Sequence, residues 1–559
     1  MESPEIESNN NNQRSKDENK KSDITYGIDQ VPPWYLCFFM AIQHYLTMIG
    51  AVVAIPFILT PALCMDDSNP ARGTIISTMI FVTGLVTIFQ STFGCRLPLV
   101  QGGTISFLVP TLAILNLDKW KCPDDTSSMT SEEKEELWLI RMRELSGAII
   151  VASLFQVFIG YTGLVGKFVK IISPLTIVPA VSLVGITLTK HAGEIASKNW
   201  FIAVSTTILL VLFSQILVNV KVPAVTYRKG DGFKIIWFEL FKLFPVLLAI
   251  AIMWLVCGIL TATDVFGPGN PARTDVRIKV LEDAPWFRIP YPLQFGMPTF
   301  TVSSILGMLA GVLACTVESI SYYPTVAIMC NAASPPVHAI NRGIGTEGFG
   351  CVLAGLWGCG NGTNTFGENV GAIGVTKIGS RRVIQWAAVI MLIQGVFGKL
   401  GACFILIPDP VIGGCFCVMF GLITAFGLSA LQYVDLRSSR NLYIIGISLF
   451  FPLVLCPWIQ DHPNAINTGV EIIDSTLSVL LGTTILVGSV IGCLLDHIIP
   501  GTKDERGITL WSKEMALNTN EQTTDEASTY DFPIGMETLR KWKFTYYLPF
   551  SPTYKMKKF

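Results

Sequence analysis

Long apolar runs recur along this chain, separated by polar and charged stretches. Val31–Met65 is uncharged apart from His44, and Gly73–Cys95, Trp200–Val220 and Leu477–Leu495 carry no charge. About 20 apolar residues rising 1.5 Å each cross the hydrocarbon of a bilayer, so such runs predict membrane-spanning helices. In the first half, whole spans are predicted near Trp34–Leu59, Thr74–Phe93, Leu145–Val165, Ile171–Thr189, Trp200–Val220 and Phe241–Leu260. In the second half they fall near Thr301–Ile328, Phe349–Cys359, Val383–Ile405, Val411–Leu428, Tyr443–Ile459 and Leu477–Leu495. Two further apolar regions are interrupted. Leu97–Leu115 is broken by Gln101-Gly102-Gly103 and Pro110. Gly358–Lys377 holds six glycines and one carboxylate, Glu368. Irregular backbone at membrane depth is tolerated only where it lines a cavity or packs inside protein. These two regions therefore predict broken helices.

Counting both gives fourteen segments, so the predicted class is an all-α polytopic membrane protein. Gln101 and Glu368 lie 267 residues apart, and Trp34 shifted by the same offset reaches Thr301, where the eighth segment starts. That predicts two repeats of seven segments, 31–260 and 299–500, joined by a Pro/Gly-rich extracellular loop, 261–298. Seven is odd, so tandem repeats must be inverted, and the two breaks then meet near the bilayer midplane. Lys167 and Lys170, Lys221 to Lys242, Lys377 to Arg382, and Arg437 with Arg440 fall in alternate connections, which the positive-inside rule makes cytoplasmic together with both termini. Arg141 and Arg143 fall on the opposite side, against that rule. Residues 1–30 are polar and Asn-rich, and predict a disordered tail. Residues 501–559 predict a second cytoplasmic tail.

Composition agrees with this picture. The chain is 51% hydrophobic and only 14% charged, with a mean hydropathy of +0.52, whereas soluble domains carry about 25% charged residues. The net charge of −1 gives no reason to expect a nucleic-acid partner. No metal-binding spacing appears among the 14 cysteines. Cys64 and Cys122 lie in loops placed outside, where either a disulfide or two free thiols is possible. No Walker motif, dinucleotide fingerprint or metal cluster occurs, which argues against an ATP-driven pump and against an enzyme with a bound cofactor.

Few polar residues inside the spans are hard to explain by packing. They are His44 in the first span, Glu318 in the eighth, and Glu368 with Asn369 at the second break. An intramembrane carboxylate is a functional-site hypothesis by default. Opposed half-helix N-termini would offer N–H donors to a ligand's carbonyl oxygens, while the two carboxylates would accept from its N–H groups. That combination fits a flat heterocycle with amide edges, and Phe107 could supply a stacking face. Each residue also has a structural reading. His44 could be a satisfied core histidine, Glu318 could pair with a neighbour, Glu368 could cap a helix at the water interface, and Phe107 could be core. Glu347 and Lys399 lie near span ends, where interfacial solvation explains them.

Glu368-Asn369-x-Gly371 followed by Thr376-Lys377 resembles the signature of the nucleobase–ascorbate transporter family. That signature is an asparagine preceded by Gln, Glu or Pro, then glycine, four free positions, threonine, and Arg, Lys or Gly. Gln43-His44-Tyr45, Gln101-Gly102-Gly103-Thr104, Thr316-Val317-Glu318-Ser319, Pro336 to Gly343, and Ser438-Ser439-Arg440-Asn441 also resemble animal members, and the likeness runs from about Val31 to Gly507. The resemblance implies a core domain (segments 1–4 and 8–11), a gate domain (5–7 and 12–14), a homodimer and elevator-like alternating access; the expected location is the plasma membrane. It implies substrate contacts from Glu318, Glu368, Asn369, Gly367, Phe107 and Ser106. His44, Tyr322 and Thr376 are implied as ion-coupling or tuning residues, with Na⁺ or H⁺ as the coupling ion. Ascorbate-type members have proline before the signature asparagine, whereas this chain has Glu368, so the expected substrate is a nucleobase such as uracil, thymine, hypoxanthine or guanine. Sodium-dependent relatives read Glu-Ser-Ile-Gly-Asp-Tyr-Tyr where this chain reads Glu318-Ser319-Ile320-Ser321-Tyr322-Tyr323-Pro324, which puts sodium coupling in doubt. The alternatives are an ascorbate transporter and, on the same scaffold, an anion exchanger or channel.

Overall fold

The computed structural model of the 559-residue chain describes residues 24–66, 69–123, 129–166, 173–228, 232–462, 465–511 and 526–554. Lys167 and Lys170, used for orientation, lie outside the described residues, as do the first 23 residues of the amino-terminal tail.

Two strings of helices with a break in each build the fold. The first comprises α1 (Trp34–Ala62), α2 (Ala71–Thr92), the short strand β1 (Gln101–Gly103), α3 (Leu108–Leu115), α4 (Ser131–Thr162), α5 (Pro174–Thr187), α6 (Thr189–Ser197), α7 (Trp200–Val211) and, after the hairpin of β2 (Val222–Arg228) and β3 (Gly232–Phe238), α8 (Pro245–Ala262). The second comprises α9 (Val302–Met329), α10 (Val337–Leu356), the strand β4 (Thr363–Thr365), α11 (Gly367–Thr376), α12 (Arg381–Val396), α13 (Gly398–Ile405), α14 (Asp409–Ser429), α15 (Ser439–Asp461), α16 (Glu471–Gly482) and α17 (Thr484–Ile498). Eight described helices are long and apolar enough to cross a membrane, and two bent pairs bring the total to ten.

Local chemistry sets the boundaries. Proline opens α5, α8 and α14 in the first turn, where its missing N–H costs nothing. Thr301 caps α9 by accepting from the Ser304 N–H. Thr130 and Glu133 form a capping box, and α4 therefore begins at Ser131, 14 residues before the apolar run that marks it in the sequence. Similarly, α10 begins at Val337 rather than near Phe349, because Asn341, Arg342 and Glu347 find partners inside the protein. The span expected over Val383–Ile405 bends by 84° at Phe397, and the one over Leu477–Leu495 bends by 77° at Thr483. α4 and α10 pack closely enough that a Cβ on Gly160 would lie 2.3 Å from the backbone of Gly345.

Arg141, which runs against the positive-inside pattern, is buried and holds the loop before its helix. It donates to the carbonyls of Trp120 (2.7 Å) and Lys121 (2.9 Å). Beside it, a disulfide joins Cys64 to Cys122, with the Cα atoms 5.7 Å apart.

Both terminal segments pack back onto the helices. Ile24–Gln30, expected in the disordered tail, runs beside Lys377–Arg381. Ile28 is buried, its carbonyl accepts from the Arg381 N–H, and Ser380 Oγ donates to the Gln30 carbonyl. At the other end, the buried Tyr530 donates its hydroxyl to the Ala333 carbonyl at 2.5 Å. Arg342 donates to the Tyr530 carbonyl at 2.7 Å and lies over the Phe532 ring, while Phe550 packs edge-on against Tyr161.

Candidate functional site

β1 and β4 pair antiparallel, with Gln101 opposite Thr365, Gly102 opposite Asn364 and Gly103 opposite Thr363. The two breaks thus meet, and the partner of Gln101 is Thr365, three residues before Glu368. Two helices lead away from this ribbon. One starts at a turn over Ile105–Phe107 that continues into α3, where Thr104 Oγ1 accepts from the Ser106 N–H. The other is α11. Each presents its positive end to the ribbon.

A cavity of about 350 Å³ lies against these two ends. Thr104, Ser106, Glu318, Tyr322, Gly367 and Glu368 line its polar side. The facing side is apolar, built by Val181 and Val184 of α5, Val246 of α8, and Met419, Leu422 and Phe426 of α14. Glu368 turns its side chain into the open space. Glu318, partly covered, accepts from Asn364 Nδ2 at 2.6 Å and shares the lining with Ser106 and Tyr322. The Tyr322 ring stacks on Phe426 at 5.4 Å, so this phenol joins the polar side to the apolar one.

Four of the residues singled out in the sequence sit elsewhere. Phe107 is fully buried behind the ribbon, packed so tightly on Gly362 that a Cβ there would lie 2.5 Å from its ring; it offers no face to the cavity. The aromatic ring that does reach the cavity from the ribbon is Phe366. Asn369 points away from Glu368 and donates to the His44 carbonyl at 2.8 Å, with His44 Nδ1 at 3.2 Å, so this pair fastens α11 to α1. Thr376 donates to the Ala372 carbonyl of its own helix at 2.9 Å.

Glu347, assigned from the sequence to a solvated span end, is instead completely buried in α10. Gln156 donates to it at 3.0 Å and Ser319 at 2.6 Å, with Thr365 Oγ1 at 3.4 Å. Ser319 also contacts Asn364 Oδ1, the amide whose nitrogen serves Glu318. A continuous polar chain therefore runs from α4 through Glu347, Ser319 and Asn364 to the cavity. The one signal in the sequence was an acid within a stretch able to be a helix, and the glycines around it hid the helix. Lys399 bonds the carbonyls of Leu281 (2.6 Å) and Glu282 (2.8 Å) in the loop between the two strings. Asn361, which opens the glycosylation sequon Asn361-Gly362-Thr363, is buried.

A cavity sunk among membrane-length helices, with carboxylates on one side and an apolar wall on the other, is an arrangement suited to holding a small polar molecule. The profile of the Permease family matches residues 37–460. The chain is 47% identical over 544 residues to solute carrier family 23 member 2 of Mus musculus, covering 96% of this chain and 83% of that protein. It is 44% identical over 546 residues to solute carrier family 23 member 1 of Rattus norvegicus (96% and 90%), and 35% identical over 504 residues to nucleobase-ascorbate transporter 1 of Arabidopsis thaliana (88% and 92%). The chain belongs to the nucleobase–ascorbate transporter family, as an animal member, and is a transporter rather than an enzyme.

Proposed function

We propose that this protein is a secondary transporter that imports nucleobases across the plasma membrane. The observation that carries the reading is the opening of two carboxylates, Glu318 and Glu368, into one cavity beside two helix N-termini. A uracil- or purine-like edge has N–H groups for the carboxylates and carbonyl oxygens for the N–H groups of the helix ends. Ascorbate is an anion at neutral pH, and two acids oppose it. The plant relative's name joins nucleobase with ascorbate, so the vitamin is the competing substrate. Uptake of radiolabelled uracil, hypoxanthine and ascorbate in expressing cells separates the two. Saturable base uptake is expected; saturable ascorbate uptake without base uptake overturns the assignment.

The proposed architecture is fourteen segments in two inverted repeats, with α10, α11, the α3 region and α7 counted among the spans although they are too short or too polar to qualify by length and hydropathy. The β1–β4 ribbon supports the inverted relation, because equivalent breaks that meet antiparallel are what an in-plane pseudo-two-fold axis brings together. The disulfide lies at the opposite end of α1 from the docked terminal segments, which supports cytoplasmic termini, since disulfides persist on the oxidising side. We take the transporter to be a homodimer working by an elevator movement, coupled to an ion. Tyr322 stands beside Glu318 where sodium-dependent relatives carry a carboxylate, so uptake is expected to survive replacement of sodium by choline. Complete loss of uptake in choline would make sodium the coupling ion.

A further inference from the structure

A second pocket, of about 290 Å³, opens at the end of the molecule that carries both terminal segments. Three arginines line it: Arg96 from the loop after α2, and Arg381 and Arg382 from the first turn of α12. Arg381 is fully committed. It pairs with Asp29 at 2.7 Å and donates to the carbonyls of Arg96 and Thr529. The other two are not. Among the described residues neither Arg96 nor Arg382 has an ion-pair partner, and Arg96 Nε is buried without a hydrogen bond. With Asp29 as the one acid in the lining, two positive charges are left over. Burial, then repulsion from Arg381, outweighs the attraction of Asp29 and Asp531 and lowers the Arg96 pKa to about 10, so the group stays cationic at neutral pH. The positive end of the 16-residue α12 adds to the same field.

We propose that this pocket binds a phosphate-bearing anion, with Arg96 and Arg382 as its direct ligands. The surroundings place it at lipid-headgroup level. Trp34, Tyr35, Phe38 and Phe39 are exposed at the start of α1, just past the Val31 that lines the pocket, and Trp386 is exposed one turn after Arg382 on α12. Such a band of aromatic side chains marks a membrane–water interface. A lipid headgroup and a free phosphate share the chemistry, since paired guanidinium groups bind the phosphate oxygens of either. The pocket is remote from the transport cavity and shares no lining residue with it.

The test uses the full-length protein in detergent and follows its thermal unfolding. The added probes are a short-chain phosphatidylinositol phosphate, inorganic phosphate, and short-chain phosphatidylcholine as the zwitterionic control. The phosphoinositide is expected to raise Tm, with Arg96→Gln and Arg382→Gln each weakening the apparent affinity about tenfold. Arg437→Gln, exposed on a different connection, should respond as the wild type does. Arg382 is exposed, so its replacement tests the site even where Arg96→Gln fails to fold. A response to the lipid alone assigns the site to a headgroup, and an equal response to inorganic phosphate assigns it to the free anion. The proposal is overturned if neither anion shifts Tm, if phosphatidylcholine shifts it equally, or if Arg382→Gln responds like the wild type.

Discussion

Ser319 shows how tightly single residues are bound into this site. Its hydroxyl has one proton to give, yet it sits between Glu347 and Asn364 and thereby joins the buried acid to the amide that holds Glu318. Removing Glu347 orphans the Gln156 amide, leaves Ser319 with Asn364 and Thr365 alone, and opens a void. Glu347→Ala is therefore expected to cost about 2–4 kcal/mol, read as a lowered Tm of the purified protein. Glu347→Gln keeps the shape and can still accept from Gln156, so its loss of stability should be clearly smaller. An equal loss would show that the bonds to Glu347 do not matter. At the cavity, Glu318→Gln and Glu368→Gln are each expected to abolish uptake with surface expression preserved; transport by both variants would remove the carboxylates from the site. The sequence made the acids visible because a charge in an apolar run has no packing explanation. It could not show direction. Glu368 and Asn369 are neighbours, about 100° apart around a helix, and one faces the cavity while the other faces His44. Ser106 and Phe107 divide in the same way.

At the scale of elements, the ribbon of β1 and β4 is what turns two helix breaks into one site. Gly102 in the ribbon leaves room for the Phe366 ring, and Gly362, just before β4, gives way to Phe107. Gly362→Ala puts a methyl group 2.5 Å from that ring, with an expected cost of about 1–3 kcal/mol from overpacking. A lowered Tm accompanied by reduced uptake checks this, and a neutral substitution would mean the ribbon can shift. Hydropathy located most helices because a span needs a long apolar run. It failed where tertiary contacts replaced lipid: in the polar first turns of α10, in the amino-terminal extension of α4, and at the bends near Phe397 and Thr483. The helix ends there depend on partners distant in sequence, which periodicity does not record.

For the whole molecule, two fastenings act at opposite ends. The disulfide closes a loop of 58 residues between the end of α1 and the segment after α3. Cys64→Ser with Cys122→Ser is expected to cost about 2–4 kcal/mol and to make Tm insensitive to reducing agent; a wild-type Tm unmoved by reduction would argue that the bond adds nothing. At the other end lies the carboxy-terminal segment, whose Tyr530 is buried against the α9–α10 connection and whose carbonyls serve Arg342 and Arg381. The segment from Glu526 onward follows α17 in the chain but docks on α4, α9, α10 and α12, and so joins helices that are distant in sequence. A protein shortened before Glu526 would uncover two buried arginines, Arg342 and Arg381.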